Sequence, residues 1–162
     1  MRSMENLTVT PQSGEPVFRE LSREESEALL SRNYVGRLAF SLENWVDIRP
    51  LHYVYQDGWI FGRTAPGEKL QVLRHHMWVA FEVDEISGML DWESAIARGT
   101  FYVLRDEGSE HDLRLHRRGL EAVRKLFPNA LTDLDELPFR NELFGISIDS
   151  LTGRSCSTKA NS

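Results

Sequence analysis

The sequence is short of cysteine: Cys156 is the only one among 162 residues. A single cysteine cannot form a disulfide within the chain, which fits a reducing cytoplasmic compartment. The sequence also lacks an uninterrupted apolar run of membrane-spanning length, and residues 1–16 lack the apolar segment of a secretory signal. We therefore expect a cytoplasmic protein that has no membrane partner.

The chain also lacks a surplus of positive charge. It has 25 acidic and 19 basic residues, a net charge of −6, whereas nucleic-acid phosphates favour a strongly basic surface. We therefore expect no nucleic-acid partner. The hydrophobic content of 41% is enough for one globular domain with a single core. We place this domain at residues 17–154 and expect disordered tails at 1–16 and 155–162, which have few large apolar groups.

Local patterns predict a series of helices and antiparallel strands. Ser22 and Glu25 form a capping box at the start of a helix, and Ser109 begins a second such signal. The Asp57-Gly58 pair predicts a tight hairpin turn. In chain order we predict helix 23–32, strands 35–42, 46–55 and 59–63, helix 67–75, strands 77–83 and 92–104, a helix ending at Pro128, and a strand at 144–148. The strands do not alternate regularly with helices, so the fold class is α+β, with an antiparallel barrel or sandwich.

A polar turn after the third strand carries the groups that bind phosphate. Arg63 and Lys69 supply positive charge, Thr64 supplies a hydroxyl donor, and Gly67 lets the backbone approach a ligand closely. The spacing differs from that of a Walker loop, because Glu68 stands where the lysine should be. A bound phosphate ester is the functional interpretation, and an ordinary surface turn before a helix is the structural alternative.

The histidines do not form a metal-binding pattern. His75 and His76 are adjacent and point in different directions on a helix, and His111 and His116 are five residues apart. Neither spacing places two ligands on one helix face, as a separation of four residues would. We therefore predict no metal site, and no residue is assigned a catalytic role from the sequence.

Several short segments, taken in their order, resemble one known superfamily. They are Gly36-Arg37-Leu38-Ala39, Arg49-Pro50-Leu51, Phe61 to Leu70 around the polar turn, Val79 to Asp84, Trp92-Glu93-Ser94 with Arg98-Gly99, and Leu151 to Arg154. With these segments the chain resembles the pyridoxamine 5′-phosphate oxidase-like, FMN-binding split-barrel superfamily. The resemblance spans residues 18–154 and implies a split β-barrel with peripheral helices.

The resemblance implies a homodimer with FMN at the interface between the two chains. By that resemblance Arg63, Thr64 and Lys69 would hold the phosphate of the cofactor. The other implied cofactor contacts are Pro50, Leu51 and His52 beside the flavin ring, Phe61 and Gly62 at the floor, Trp92 and Ser94 closing the pocket from the same chain or the partner, and Arg49 or Arg98 supplying positive charge near the ring.

The implied activity is that of an FMN-dependent oxidoreductase that acts on a small molecule and takes electrons from a nicotinamide or a similar donor. Two alternatives stay open: a non-catalytic flavin carrier or sensor, and a split-barrel protein that binds a deazaflavin or haem. The chain resembles the nitroimidazole-resistance branch, but Gly62 and Arg63 stand where those reductases commonly have a histidine. Its last segment also lacks the Arg-x-His pattern of true pyridoxamine-phosphate oxidases. The resemblance therefore does not identify the substrate.

Overall fold

The computed structural model describes residues 14–67 and 78–158. Its elements in chain order are β1 (Val17–Leu21), α1 (Arg23–Arg32), β2 (Val35–Leu42), β3 (Trp45–Gln56), β4 (Trp59–Thr64), β5 (Trp78–Gly88), β6 (Asp91–Leu104), α2 (Glu110–Arg124) and β7 (Glu142–Ser157). The strands form one antiparallel sheet in the order β1-β7-β4-β3-β2-β5-β6, and a further pairing between β6 and β7 closes it into a barrel. This architecture confirms the predicted α+β split barrel with peripheral helices.

Local sequence signals explain where both helices begin. The Ser22 hydroxyl accepts a hydrogen bond from the Glu25 backbone N–H at 3.1 Å, and the Glu25 carboxylate accepts one from the Ser22 N–H at 2.7 Å. Ser109 and Asp112 repeat this arrangement at 3.2 and 2.9 Å. Each pair satisfies two backbone donors that would otherwise lack a partner, so both predicted capping boxes are confirmed.

The hairpin between β3 and β4 turns at Asp57 and Gly58, as predicted. Their φ angles are 47° and 79°, and a tight primed turn requires positive φ at both positions. The turn sets a register in which residues 53–56 of β3 pair with residues 59–62 of β4. The first part of β3, residues 45–52, pairs with β2 instead. The hairpin therefore brings the predicted phosphate turn beside the middle of β3.

Two apolar clusters hold the helices against the barrel. The larger one fills the barrel and includes Leu29 and Leu30 of α1, both fully buried. The second cluster joins Phe61 of β4 to Leu115 and Val123 of α2. Because these two clusters use different faces of the sheet, α1 packs against the barrel interior and α2 packs on the outside of β4. Neither helix is long and apolar enough to cross a membrane, as judged over the described residues.

The last strand is longer than the predicted strand at 144–148. In the structure β7 runs to Ser157; its first part pairs with β4, its last part pairs with β1, and β6 pairs along most of its length. Residues 155–157, which we expected in a tail, are therefore paired, and Cys156 is 1% exposed. The strand β1 was not predicted. Tail residues 14–16 and 158 have no regular secondary structure, whereas tail residues 1–13 and 159–162 and residues 68–75 of the predicted helix 67–75 lie outside the described residues.

Candidate functional site

The outer face of the barrel at β3, β2, β5 and β6 carries exposed apolar side chains. Alternation along each strand sends Leu38 and Phe81 into the core and their neighbours outward. Of the outward residues, Val46, Ile48 and Trp78 are 71%, 61% and 62% exposed. We call the surface formed by the outward residues of these four strands the outer face. It presents large apolar groups to solvent, which is unusual for a face with no partner.

Four of the predicted site residues occupy outward positions: Pro50 and His52 in β3, and Trp92 and Ser94 in β6. Pro50 pairs with Arg37 of β2, which in turn pairs with Glu82 of β5. The Arg37 guanidinium lies 3.2 Å from the Glu82 carboxylate and 3.3 Å from that of Asp84. The outer face therefore combines apolar surface with an ion-paired centre.

Two neighbours of Pro50 take inward positions on β3. Leu51 packs against the apolar core of the barrel. The Nε atom of Arg49 lies 3.5 Å from the carboxylate of Asp47, which is on the same side of the strand. Any contact of Leu51 with a ligand on the outer face would therefore involve its backbone, because its side chain points the other way.

The predicted floor residues are tightly packed. Phe61 is fully buried, and its ring stacks on Trp59 with the ring centroids 5.7 Å apart. Gly62 lies so close to β3 that a Cβ atom there would be 2.8 Å from the carbonyl oxygen of His52. Glycine is required at this close approach. Both residues therefore fix how β4 lies against β3 and α2.

The guanidinium of Arg63 is buried and ion-paired. Arg63 is 4% exposed, its Nη1 donates to the carboxylate of Asp135, and its Cζ lies 4.9 Å from the centroid of the Phe127 ring. Asp135 and Phe127 belong to the α2–β7 loop, residues 125–141. Neither contact was predicted, because Arg63 and Asp135 are 72 positions apart in the sequence and no local pattern links them.

Asp135 is itself held firmly in the α2–β7 loop. Its carboxylate accepts hydrogen bonds from the backbone N–H groups of Leu131 at 2.8 Å and Leu137 at 3.0 Å. The Arg63 guanidinium, together with these two N–H groups, holds the pKa of the Asp135 carboxyl well below its usual range. Asp135 is therefore charged at neutral pH.

One edge of the Arg63 guanidinium has no acceptor among the described residues. Its Nε and Nη2 atoms are buried and make no hydrogen bond, while Nη1 is taken by Asp135. Nε and Nη2 share the edge of the planar group that binds a carboxylate or a phosphate through two parallel hydrogen bonds. Leaving a buried donor without an acceptor costs free energy, so this edge is suited to bind an anionic ligand.

His52 lies near Arg63, because both side chains contact the Phe127 ring. Its ring is parallel to that of Tyr34, with centroids 6.4 Å apart, and nearly perpendicular to that of Phe127, with centroids 5.3 Å apart. Burial lowers the pKa of His52, and the positive charges of Arg140 and Arg63 lower it further. His52 is therefore a neutral imidazole at neutral pH. Tyr34 and Phe127 were not predicted, since single aromatic residues outside a recognisable motif carry no signal.

Thr64 is half-buried at the end of β4, where it pairs with Glu142 of β7. Among the described residues its hydroxyl makes one contact, which is long: 3.4 Å to the carbonyl oxygen of Ala65. A contact of this length leaves the hydroxyl able to donate to a better acceptor. Lys69, the third predicted phosphate ligand, lies outside the described residues.

Trp92 and Ser94 are not near Arg63 in the same chain. They pair with Cys156 and Arg154 of β7, whereas Arg63 pairs with Leu143 at the other end of that strand. Leu143 and Arg154 are eleven residues apart, and each residue advances a strand by about 3.3 Å. One chain therefore does not bring the two groups of predicted ligands together.

Comparison with known proteins gives a family match over most of the chain. A family model described as pyridoxamine 5′-phosphate oxidase matches residues 22–155. The uncharacterized protein RA0666 of Rhizobium meliloti (strain 1021) is 24% identical over 144 residues, which cover 84% of this chain and 93% of that protein.

Solved structures give the same architecture. An FAD-binding protein from Mesorhizobium loti superposes with a TM-score of 0.71 at 26% identity, covering 87% of this chain and 99% of the other. The FAD binding protein from Mycobacterium smegmatis gives a TM-score of 0.60 at 28% identity, covering 84% and 98%. A 5-nitroimidazole antibiotic resistance protein from Bacteroides thetaiotaomicron gives 0.65 at 15% identity, covering 96% and 95%, and at that identity it supports the fold alone.

Proposed function

The chain belongs to the pyridoxamine 5′-phosphate oxidase family, and from that membership we propose that it is a flavin-dependent oxidoreductase acting on a small molecule. The sequence resemblance supports flavin mononucleotide as the cofactor. FAD is the second candidate, because two similar structures, at 26% and 28% identity, are described as FAD-binding proteins. Both flavins carry a phosphate on the ribityl chain, so either one would present a phosphate to Arg63.

The observation that carries this proposal is the unpaired edge of Arg63. Two donors on one buried guanidinium edge have no acceptor among the described residues, and two phosphate oxygens would satisfy both. The Thr64 hydroxyl lies next in the chain, and the one contact that it makes within residues 14–67 and 78–158 is weak. A flavin phosphate at this point would therefore supply acceptors where the protein offers donors. Lys69 stays a predicted third ligand.

The ring of such a flavin would lie toward β3, where Pro50 and His52 take outward positions. Proline has no N–H to donate to a neighbouring strand, so it would leave nearby backbone groups free to hydrogen-bond to a ligand. A neutral His52 adds a polar group without placing another positive charge on that side of the ring. When bound, a flavin supplies the hydride-accepting chemistry; these residues would orient it and exclude water. Arg98 stays the proposed source of positive charge near its ring, because the Arg49 side chain takes an inward position on β3, on the opposite side of the strand from Pro50 and His52.

We also propose that the protein works as a homodimer, joined through the outer face. Val46, Ile48 and Trp78 are exposed there. Contact with a second copy of the chain is the usual way in which such apolar groups are removed from water. A second copy is also needed to complete the predicted site. Trp92 and Ser94 lie far along β7 from Arg63 of their own chain, so they would close the pocket of the partner.

The visible absorption spectrum tests the proposed function. Purified protein, as isolated and after incubation with FMN or FAD, is freed of unbound ligand, and the retained flavin is identified by chromatography. We expect a flavin spectrum that bleaches when NADH or NADPH is added without oxygen. A flavin that binds but stays oxidised with both donors supports the carrier alternative, and a haem or deazaflavin spectrum supports the other. Protein that retains no flavin after both incubations contradicts the proposal.

A further inference from the structure

A cavity lies at the end of the barrel where β7 finishes, away from Arg63. Its volume is about 310 Å³, which is within the range of sites that bind small molecules. Residues of β1, β5, β6 and β7 line it. Ser155, one of these residues, is twelve positions beyond Leu143, the residue of β7 that pairs with Arg63. The cavity is therefore separate from the proposed flavin phosphate site of the same chain.

A row of three polar side chains crosses the strands at this cavity. Arg19 of β1 pairs with Ser155 of β7, and Ser155 pairs with Glu93 of β6. Leu21 and Ala95, which lie two residues further along β1 and β6, belong to the barrel core. Because residues two apart in a strand share a face, the row points inward, to the side opposite the outer face.

Ser155 is enclosed in this row, but its hydroxyl has no partner there. The residue is 8% exposed, and its hydroxyl makes no hydrogen bond to any described residue. The hydroxyls of Ser22 and Ser109, by contrast, accept the capping hydrogen bonds of α1 and α2. A mostly buried polar group is unfavourable unless a ligand or water reaches it. Because Ser155 lines the cavity, its hydroxyl is available to a ligand bound there.

Two carboxylates of the cavity share one arginine. The Arg32 guanidinium of α1 donates from Nε to Glu85 at 2.7 Å and from Nη2 to Glu93 at 2.7 Å. The side-chain amide of Asn33 also donates to Glu85, at 2.7 Å. The hydrogen bond from Arg32 lowers the pKa of Glu85. One guanidinium compensates the charge of one carboxylate, so the two carboxylates together keep a net negative charge.

The other charged groups around the cavity add to this negative charge. Arg19 is paired with Glu25 at 2.9 Å, so its charge is already matched. Asp91 also lines the cavity and makes no ion pair with the described residues. Together with the shared arginine and its two carboxylates, these groups make four carboxylates around two guanidiniums, a net charge of −2. Arg2 and Lys159, the basic side chains of the two tails, lie outside the described residues.

These groups fit an ammonium ion better than a metal ion. Among residues 14–67 and 78–158, no group of three or more acidic, histidine or cysteine side chains is placed to hold a metal ion. A primary ammonium is less demanding, because it has three N–H donors that rotate to find acceptors. The hydroxyl of Ser155 and the carboxylates of Asp91 and Glu93 are such acceptors, and all three residues line this one cavity.

Exposed apolar side chains adjoin the acidic cavity. Val17 of β1 lines it and is exposed. Met89 and Leu90, also exposed, form the turn between β5 and β6 and directly precede Asp91. An apolar group joined to an ammonium would remove part of this surface from water. A metal ion or a wholly polar cation would leave the same surface exposed.

We propose that this cavity is a second ligand site, which binds a small organic cation that joins a primary ammonium to an apolar group. The Ser155 hydroxyl and the carboxylates of Asp91 and Glu93 accept the three N–H groups of the ammonium. Val17 and the turn between β5 and β6 cover the apolar part. The site uses residues of one chain and no flavin, so it does not depend on the proposed function.

Two probes that differ only in the polar group test the site on the wild-type, full-length protein. At pH 7, 2-phenylethylamine carries an ammonium, and 2-phenylethanol carries a hydroxyl on the same apolar frame. Chemical-shift changes of the isotope-labelled protein give both dissociation constants and show where each probe binds. We expect the amine to bind at least about tenfold more tightly, with shifts centred on residues 91–93 and 155–157, and more weakly in high salt. Equal binding of the two probes, or no shifts there at about 10 mM amine, overturns the proposal.

The variants Asp91→Asn and Ser155→Ala test the residues themselves. The matched control is Asp149→Asn, which removes the same charge from an exposed position of β7 that does not line the cavity. We expect Asp91→Asn and Ser155→Ala each to weaken binding of the amine at least about fivefold and to leave the alcohol unchanged. The control should stay within about twofold of the wild type for both probes. An Asp91→Asn variant that binds the amine as tightly as the control overturns the proposal.

Flavin retention, measured on the same samples, separates this proposal from the proposed function. Protein that binds the amine at residues 91–93 and 155–157 but retains no flavin supports the second site and contradicts the proposed function alone. Protein that retains flavin but does not distinguish the amine from the alcohol contradicts the second site alone.

Discussion

Replacing Arg63 with methionine is expected to lower the free energy of unfolding by about 3–5 kcal/mol. Methionine keeps much of the length of the side chain but has no charge, so Arg63→Met leaves Asp135 buried without its counter-ion. Both side chains are 3% exposed in the native protein, so water cannot replace the lost guanidinium. Urea unfolding followed by circular dichroism measures the effect as a fall in the midpoint at an unchanged slope.

The matched control for this change is Arg19→Met. Arg19 pairs with Glu25 at 2.9 Å, but the two side chains are 45% and 43% exposed, so solvent screens that pair and the midpoint should hardly move. A double variant, Arg63→Met with Asp135→Leu, removes both buried charges and should recover most of the lost stability. If Arg63→Met unfolds at the same urea concentration as Arg19→Met, the buried pair does not hold the α2–β7 loop to β4.

The change Ile48→Arg is expected to raise the dissociation constant of the proposed homodimer at least about a hundredfold, because it would bury an unpaired charge in an apolar contact. Ile48 is 61% exposed in the single chain, so the chain itself should fold normally. Sedimentation velocity over a range of concentrations measures the dissociation constant. Flavin retention should fall in parallel, since the partner's closing residues would be lost from each pocket.

Leu134→Arg is the control for the dimer prediction. Leu134 is 75% exposed, but it lies in the α2–β7 loop and not on the outer face. The same charge placed there should leave the sedimentation profile unchanged. A wild-type protein that sediments as a single chain at every concentration would refute the dimer, and a dimer that tolerates Ile48→Arg would place the contact elsewhere on the surface.

The parts of the fold that could be predicted are those with a local cause. Ser22 and Glu25 are three residues apart, and the side chain of each hydrogen-bonds to the backbone N–H of the other. Residues 22–25 are therefore enough to predict where α1 begins. Asp57-Gly58 is equally local, because the turn depends on which residues tolerate positive φ. The order of such signals, together with the resemblance they supported, was enough to predict the antiparallel split barrel.

The parts that could not be predicted depend on partners far away in the sequence. The last residues of β7, around Ser155 and Ser157, are small and polar and do not look like a strand, but β6 and β1 pair with them on both sides. β1 has four exposed residues and one buried residue, so it lacks a strand-like alternation. The Arg63–Asp135 pair joins residues 72 positions apart. Arg63 could be predicted as a site residue from its own turn, but its ion pair with Asp135 could not.

The most direct test of the account is a crystal structure of the wild-type protein grown with FAD or with FMN. We expect a phosphate of the flavin within hydrogen-bond distance of both Nε and Nη2 of Arg63, with Asp135 still on Nη1 and with a second copy of the chain closing the pocket. A flavin bound with its phosphates away from Arg63, or within a single chain whose outer face meets only solvent, would contradict it.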